Sequence, residues 1–477
     1  MSSSPSAPSN GFRTFLIVWA TQALAVFGFT VAFFSLTVWL TQVLYPAPDQ
    51  RAQLSAALSA ASLAWVVPGL VFAPLAGSWA DRHDRRITMM GAGVLQAVTT
   101  LALLSLMVSG RLNLSLLVGL LGLLAASNAF HAAAFDTSYV MLVPRSLLPR
   151  ANGMMQTVWS LAGVLAPGTA AIILAVPSLA KQGAIGGTLG ATLARLQNGA
   201  PLSLALQAAT FVVAAVALVF LRIPSPQAAD AAGSALQKKG LWSDIAFGAR
   251  YIWQRRPLLW LLLLFAVINL VGSTVGIFQP LMLKYNVAAD WGKRGFTFET
   301  ALAMLGTAAG AGGVSGGFIV SAWGGLKSRR VWGVLVPIVV AMGAYVVYGL
   351  SPFVYLMAAA MFIAAFTGPV ANAHSQAIWQ AQTPPELQGR VFAVRRVVAQ
   401  FTAPIGTMLA GWAGGRFNPG SVLFVLALTA GVIAASQLAN RSLLQIDEGP
   451  LQAAVPGVAP SQEAPVAPGN VSDLSSH

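Results

Sequence analysis

The chain contains no cysteine, and only 8% of its residues are charged. The first absence excludes disulfides and thiolate metal sites. The second excludes a water-soluble body. Soluble domains carry roughly 25% charged residues, and so few charges could not cover the surface of a folded chain of 477 residues. No G-x-x-x-x-G-K-[ST] run is present, so no nucleotide site is legible and no nucleotide partner is expected. No Ser-His-Asp, metal-ligand or paired-carboxylate constellation marks a catalytic centre, and an enzyme is not expected. No resident cofactor or metal is expected either.

Apolar sequence is abundant: 56% of residues are hydrophobic, and the mean hydropathy is +0.72. A membrane span needs roughly 20 predominantly apolar residues. Twelve segments qualify, at 14–44, 58–80, 87–109, 113–143, 151–177, 201–221, 257–284, 299–323, 331–350, 353–380, 390–413 and 420–440. The pattern predicts an all-α integral membrane protein with twelve transmembrane helices. The first segment is longer than the roughly 7–15-residue core of a signal peptide and is read as a retained helix.

The longest polar connector divides the spans six and six. The expected organisation is an N-terminal segment (1–13), a first six-helix bundle (14–221), a linker (222–256), a second six-helix bundle (257–440) and a disordered tail (441–477). The linker opens as a flexible tract. It continues as LWSDIAFGARYIWQRRP, where Leu241, Ile245, Tyr251 and Ile252 suit an amphipathic helix at the membrane interface.

The formal charge is +14. The basic residues are scattered over connectors rather than gathered on one face, so nucleic acid is not the expected partner. Of the 27 Lys and Arg, 17 fall in segments that share a side with the N-terminus and eight fall in the opposite loops. Arg395 and Arg396 lie within the eleventh span. This asymmetry predicts both termini in the cytoplasm. A monomer in the plasma membrane bilayer is expected.

The halves echo each other. Trp79, Arg85, Arg86, Asn128 and Ala129 recur as Trp323, Arg329, Arg330, Asn372 and Ala373, each pair 244 residues apart. Parallel repeats of six spans describe a transporter architecture. In span eight, Gly306/Gly310, Gly312/Gly316 and Gly313/Gly317 are spaced for close helix packing.

In a chain with so few charges, one stretch between spans two and three is dense in them: GSWADRHDRR (77–86) holds five charged side chains and a histidine at positions 81–86. It resembles the loop signature G-x-x-x-D-R-x-G-R-R of the major facilitator superfamily. Gly77, Asp81, Arg82, Arg85 and Arg86 match, and Asp84 stands where the signature has its second glycine. LVPRSLLPRANGMMQ, WGGLKSRR, NAHSQAIWQ and QGRVFAVRR are similar to the branch that includes macrolide and enterobactin exporters. The resemblance implies twelve helices in two pseudo-symmetric bundles and export of a drug, siderophore or secondary metabolite. It also implies a gating latch in which Asp81 meets the start of span eleven, around Gly389 and Arg390, when the cytoplasmic side is closed. A carboxylate there would face the positive end of a helix dipole.

A proton-coupled antiporter needs a titratable group inside the spans. Asp136, His131 and His374 are the candidates for coupling, with the proton gradient as the candidate driving force. Their competing role is structural: Asp136 paired with an arginine, the histidines hydrogen-bonded in packing. Gln22, Asn128, Asn269, Gln279, Asn372, Gln376 and Gln400 are candidates for a substrate cavity suited to a small amphipathic molecule. Arg395 and Arg396 either snorkel to the cytoplasm or meet an anionic group. The alternatives to drug export are a lipid or lysophospholipid translocator and a non-transporting scaffold or receptor.

Overall fold

The computed structural model describes residues 10–221, 223 and 241–447. Expectations for residues 1–9, 222, 224–240 and 448–477 lie outside the described residues. These cover most of the N-terminal segment, the flexible part of the linker, and most of the tail.

Among the described residues, twelve long helices follow one another: α1 (Gly11–Trp39), α2 (Arg51–Ala80), α3 (Arg85–Val108), α4 (Leu114–Leu142), α5 (Leu148–Lys181), α6 (Ala200–Phe220), α7 (Arg256–Tyr285), α8 (Phe298–Trp323), α9 (Trp332–Leu350), α10 (Val354–Gln382), α11 (Pro385–Arg416) and α12 (Pro419–Ser436). In hydrocarbon every backbone N–H and C=O needs an internal partner, and helices supply one within the segment. Eleven of the twelve are long and apolar enough to cross a membrane by composition alone. The exception, α11, carries Glu386, Arg390, Arg395, Arg396 and Arg416.

The helix starts are written in polar side chains. Asn113 accepts from the Leu116 amide at 3.0 Å, and Asn418 accepts from Gly420 at 2.9 Å. Thr297 and Thr300 bond reciprocally at the start of α8. Asp84 caps α3 by accepting from the Ile87 amide at 2.9 Å, with φ −62°. The loop therefore needs a capping acceptor at this position, not a glycine turn.

The pairing of helices repeats between halves. α1–α5, α1–α6, α2–α4, α3–α4 and α3–α6 pack together, and α7–α11, α7–α12, α8–α10, α9–α10 and α9–α12 pack in the same way. Each pair in the second set is the first set advanced by six. The main contacts between halves, α2–α11 and α5–α8, exchange under that same operation. The molecule is two pseudo-symmetric six-helix bundles. The start of α1 and the end of α12 lie on one side, here called the terminal face, and the opposite side is the far face.

Short helices fill the longer connectors. Gly187–Ala194 and Ala288–Lys293 cap the far face. In the latter, the Asp290 carboxylate accepts from Arg294 at 3.1 Å and from the Val354 amide at 2.9 Å. Those bonds hold it below the ordinary carboxylate range.

In the linker helix, Leu241–Gln254, two of the four residues expected at the membrane interface, Tyr251 and Ile252, are buried against the second bundle. Tyr251 donates to the Gln382 carbonyl at 3.0 Å, and Arg255 donates to the same oxygen at 3.1 Å. A Cβ on Gly248 would stand 2.6 Å from the Arg390 carbonyl, so this helix lies directly on the first turns of α11. The start of the tail also differs from expectation. Residues Arg441–Leu444 are helical, and Leu443 and Ile446 are buried in the same cluster.

Candidate functional site

A cavity of about 740 Å³ lies where the halves meet. Val66, Gly69, Leu70 and Ala73 of α2 form one wall. α7, α9, α10 and α11 form the rest, with Phe265, Ile338, Met342, Ala371, Ala399 and Ala403. Its polar atoms come from Asn269, Ser273, Tyr345, Thr367 and Asn372. Sequence reasoning named the two asparagines but missed Ser273, Tyr345 and Thr367, whose types are ordinary in any membrane helix. Asn372 donates to the Gly368 carbonyl of its own helix at 3.0 Å.

A second, smaller pocket of about 100 Å³ lies inside the first bundle, ringed by α1 to α6. It brings Gln22, Asn128 and His131 together with Gln96, which the sequence did not single out. Aromatic rings of Phe29, Trp65, Trp159 and Phe211 complete it. Among the described residues, no protein hydrogen bond reaches those four polar side chains, although Gln96 and His131 are buried. Buried amides without partners are costly, and the volume suits about three waters.

The far face is closed by three seams. Between α2 and α11, Ser55 donates to the Gly411 carbonyl at 2.9 Å, and Ser59 donates to the Thr407 carbonyl at 2.8 Å. Between α5 and α8, a Cβ on Gly310 would lie 2.6 Å from the Gly163 backbone, and one on Gly306 would lie 3.0 Å from Pro167. Between α7 and α1, Lys284 Nζ donates to the carbonyls of Thr41 at 2.8 Å and Tyr45 at 2.5 Å.

Towards the terminal face the same helices part. Gly313 and Gly317, which continue the Gly306/Gly310 face of α8, have no neighbour within 4 Å of a built Cβ. The expected packing of this third glycine pair is therefore absent, whereas Gly312 and Gly316 do pack closely, on the backbone of Phe362 and Phe366. Gly77 and Gly389 are equally open, so no other helix approaches closely at either position in this conformation.

The charged loop sorts into two functions. Arg85 is buried; its Nε donates to the Ala80 carbonyl at 3.4 Å and its Nη1 to the Thr137 carbonyl at 3.4 Å, beside the Met141 sulfur. Arg86 donates to Leu218 O at 2.8 Å and to Val219 O. The pair thus ties down the C-terminal ends of α2, α4 and α6, where a cation also suits the helix dipole. Asp81 and Arg82 are exposed; the Asp81 amide donates to the Gly77 carbonyl at 3.1 Å, and its carboxylate makes no hydrogen bond or salt bridge among the described residues. Arg390 stacks on Phe247 of the linker helix, 5.5 Å from its centroid.

The matching loop of the second half is built differently. His374 is buried beneath it and accepts the Leu326 N–H on Nε2 at 2.8 Å. Nδ1, 2.7 Å from the Val370 carbonyl, must then carry the proton and donate. Gly325 has φ +74°, and a Cβ there would meet His374 Nε2 at 2.9 Å. An aspartate equivalent to Asp81 has no room at this position.

The other candidates are dispersed. Arg395 donates to Gln376 Oε1 at 2.7 Å and to Ser375 at 3.4 Å, with Trp379 under its guanidinium. It is committed to α10 and does not snorkel. Arg396 is exposed on the α11 face that carries Ala399 and Ala403, one turn nearer the terminal face. Asp136 is exposed one turn beyond Ala132, with no arginine partner among the described residues. Gln279 lines neither cavity. The side chain of Gln400 lies outside those described.

Two repeated bundles around a central cavity, sealed on one face and parted on the other, define a membrane transporter. The chain belongs to the Major Facilitator Superfamily, whose family model matches residues 18–407. It is 24% identical over 403 residues to macrolide efflux protein A of Streptococcus pyogenes, covering 83% of this chain and 88% of that one. It is 26% identical over 420 residues to the multidrug efflux pump Tap of Mycobacterium tuberculosis (strain ATCC 25618 / H37Rv), covering 84% and 87%. A bacterial homolog of the human lysosomal transporter Spinster, solved inward-facing and unoccupied, superposes with TM-score 0.64 at 16% identity, over 93% of this chain and 100% of that one. The peptide transporter PepTSo gives 0.63 at 14% identity, over 91% and 98%. At these identities the structural likeness concerns the fold alone.

Proposed function

We propose that the protein exports a hydrophobic or amphipathic small molecule from the cytoplasm by alternating access, driven by the proton gradient. The observation that carries this reading is the large, mostly apolar cavity between the halves, sealed towards the far face. The excess of Lys and Arg on the terminal side supports a cytoplasmic assignment for that side, and the efflux relatives support a location in the plasma membrane. The cavity then faces the compartment from which an exporter loads. The relatives named for macrolide and multidrug efflux support the same direction.

In the opposite state the terminal face closes and Asp81 locks against the N-terminus of α11. The zipper between α2 and α11 pairs residues 55 with 411 and 59 with 407. Continued at that spacing, it sets Gly77 opposite Gly389 and Asp81 opposite Pro385. For coupling, His374 has both ring nitrogens engaged by backbone, which leaves Asp136 and His131 as the groups to test.

The experiment is transport by everted vesicles under an imposed pH gradient, using a panel that includes a macrolide, neutral and cationic dyes and a lysophospholipid. Uptake of drug-like compounds that collapses with the gradient is expected. Movement of the lysolipid alone would make the protein a lipid translocator, and movement of nothing would favour a scaffold.

A further inference from the structure

We infer that the transported molecule is uncharged as it sits in the cavity, so that the protein selects neutral amphiphiles over permanent cations. This rests on the export reading above and names the substrate class of that same site.

Among the described residues, the lining of the 740 Å³ cavity includes no aspartate, glutamate, lysine, arginine or histidine. Its polar groups are two amides, two aliphatic hydroxyls and one phenol. These offer donors and acceptors to hydroxyl, ether, carbonyl or amide groups of a ligand. The pocket in the first bundle likewise has, among the described residues, no aspartate, glutamate, lysine or arginine in its lining, and differs in adding the imidazole of His131 to three amides and several aromatic rings.

A cation taken into such a site at membrane depth would lose its hydration and gain no counter-charge. That balance is unfavourable unless a carboxylate is supplied. Two carboxylates were candidates to supply it. Asp136 lies one turn beyond Ala132 and lines neither cavity, and Asp81 is exposed at the loop. The one guanidinium on the cavity face of α11, that of Arg396, repels a cation on its way in. Arg395 is engaged by Gln376 and Ser375.

The test compares N-phenyl-1-naphthylamine, which is neutral, with ethidium, which is permanently cationic. Efflux is measured in everted vesicles, and binding is measured on the purified full-length protein in nanodiscs. The neutral probe is expected to bind and to be exported saturably, with ethidium at background in both assays. Asn269→Asp places a carboxylate on the α7 wall, and Asn372→Asp places one on the α10 wall. Either substitution is expected to raise ethidium binding at least about tenfold, and the two together guard against failure of one to fold. Saturable ethidium binding by the unaltered protein, comparable to that of the neutral probe, overturns the inference while leaving export intact. Absence of binding by both probes, and of transport across the wider panel, overturns the export reading and the inference with it.

Discussion

Lys284 spans the two halves at the far face, 243 residues from one of its acceptors. It donates to carbonyls of Thr41 and Tyr45, where α1 ends in a π-helical turn over Leu40–Leu44 and leaves its last oxygens without helical partners. A cation at a helix C-terminus is also favoured by the dipole, by roughly 0.3–1 kcal/mol. Lys284→Met removes the donors and keeps the apolar stem. It is expected to shift the protein towards a far-open state without unfolding it. The native chain has no cysteine, so a single cysteine at Ser62, beside the far-face seam, reports accessibility to a membrane-impermeant maleimide. Faster labelling in the Lys284→Met background is the expected result, and unchanged labelling removes Lys284 from the gate. Lys284 could be seen in the sequence only as a basic residue at the end of a span. Its partners lie on a helix of the other half, so only folding brings them within reach. Arg85 and Arg86 were more legible, because two adjacent arginines at the end of a span repeat in both halves. Their division of labour between α2, α4 and α6 was not.

At the scale of helices, the α5–α8 contact is a zipper closed over only part of its length. Residues 163 with 310 and 167 with 306 meet in antiparallel register. Extended towards the terminal face, the same register sets Ser160 opposite Gly313 and Gln156 opposite Gly317. These glycines now border open space. A large side chain at Gly317 is therefore tolerated in this conformation and excluded from one in which the terminal face closes. Gly317→Trp is expected to keep expression and substrate binding while reducing export to background. Asp81→Asn, which removes the charge of the latch without adding bulk, is expected to lower export with insertion intact. Retained transport in the tryptophan variant would show that α5 and α8 do not close in this register. The glycine spacing was legible from sequence, but the division among pairs was not. Which face of α8 meets α5, α10 or nothing depends on the rotation of each helix in its bundle. The linker helix shows the same: its amphipathic pattern was readable, but the packing of Tyr251 and Ile252 on the second bundle was not.

For the whole molecule, the charge of the cargo decides the energetics. If an uncharged compound leaves in exchange for an entering proton, each cycle moves one net charge. A membrane potential then contributes about 2.3 kcal/mol per charge per 100 mV. With equal, strongly buffered pH on both sides of the membrane, a potential imposed by potassium and valinomycin is expected to sustain export of a neutral probe. Dependence on the pH gradient alone would mean that the cycle is electroneutral, and that the cargo leaves with a positive charge.

The sequence by itself determined the membrane class, the twelve spans and their duplication, because hydrocarbon admits few backbone solutions and run length reports them directly. It also marked the basic side of the bilayer and the special place of Asp81. The tertiary structure decided which polar residues converge. Asn269 and Asn372 line one cavity with Tyr345 from three different helices, Gln22 and Asn128 join His131 and the unremarked Gln96 elsewhere, and Arg395 is engaged by its neighbour Gln376. The physical reason is that span identity follows from the average apolarity of about twenty residues. The direction of one side chain follows from helix rotation and tilt, which packing between distant segments sets and no local pattern encodes.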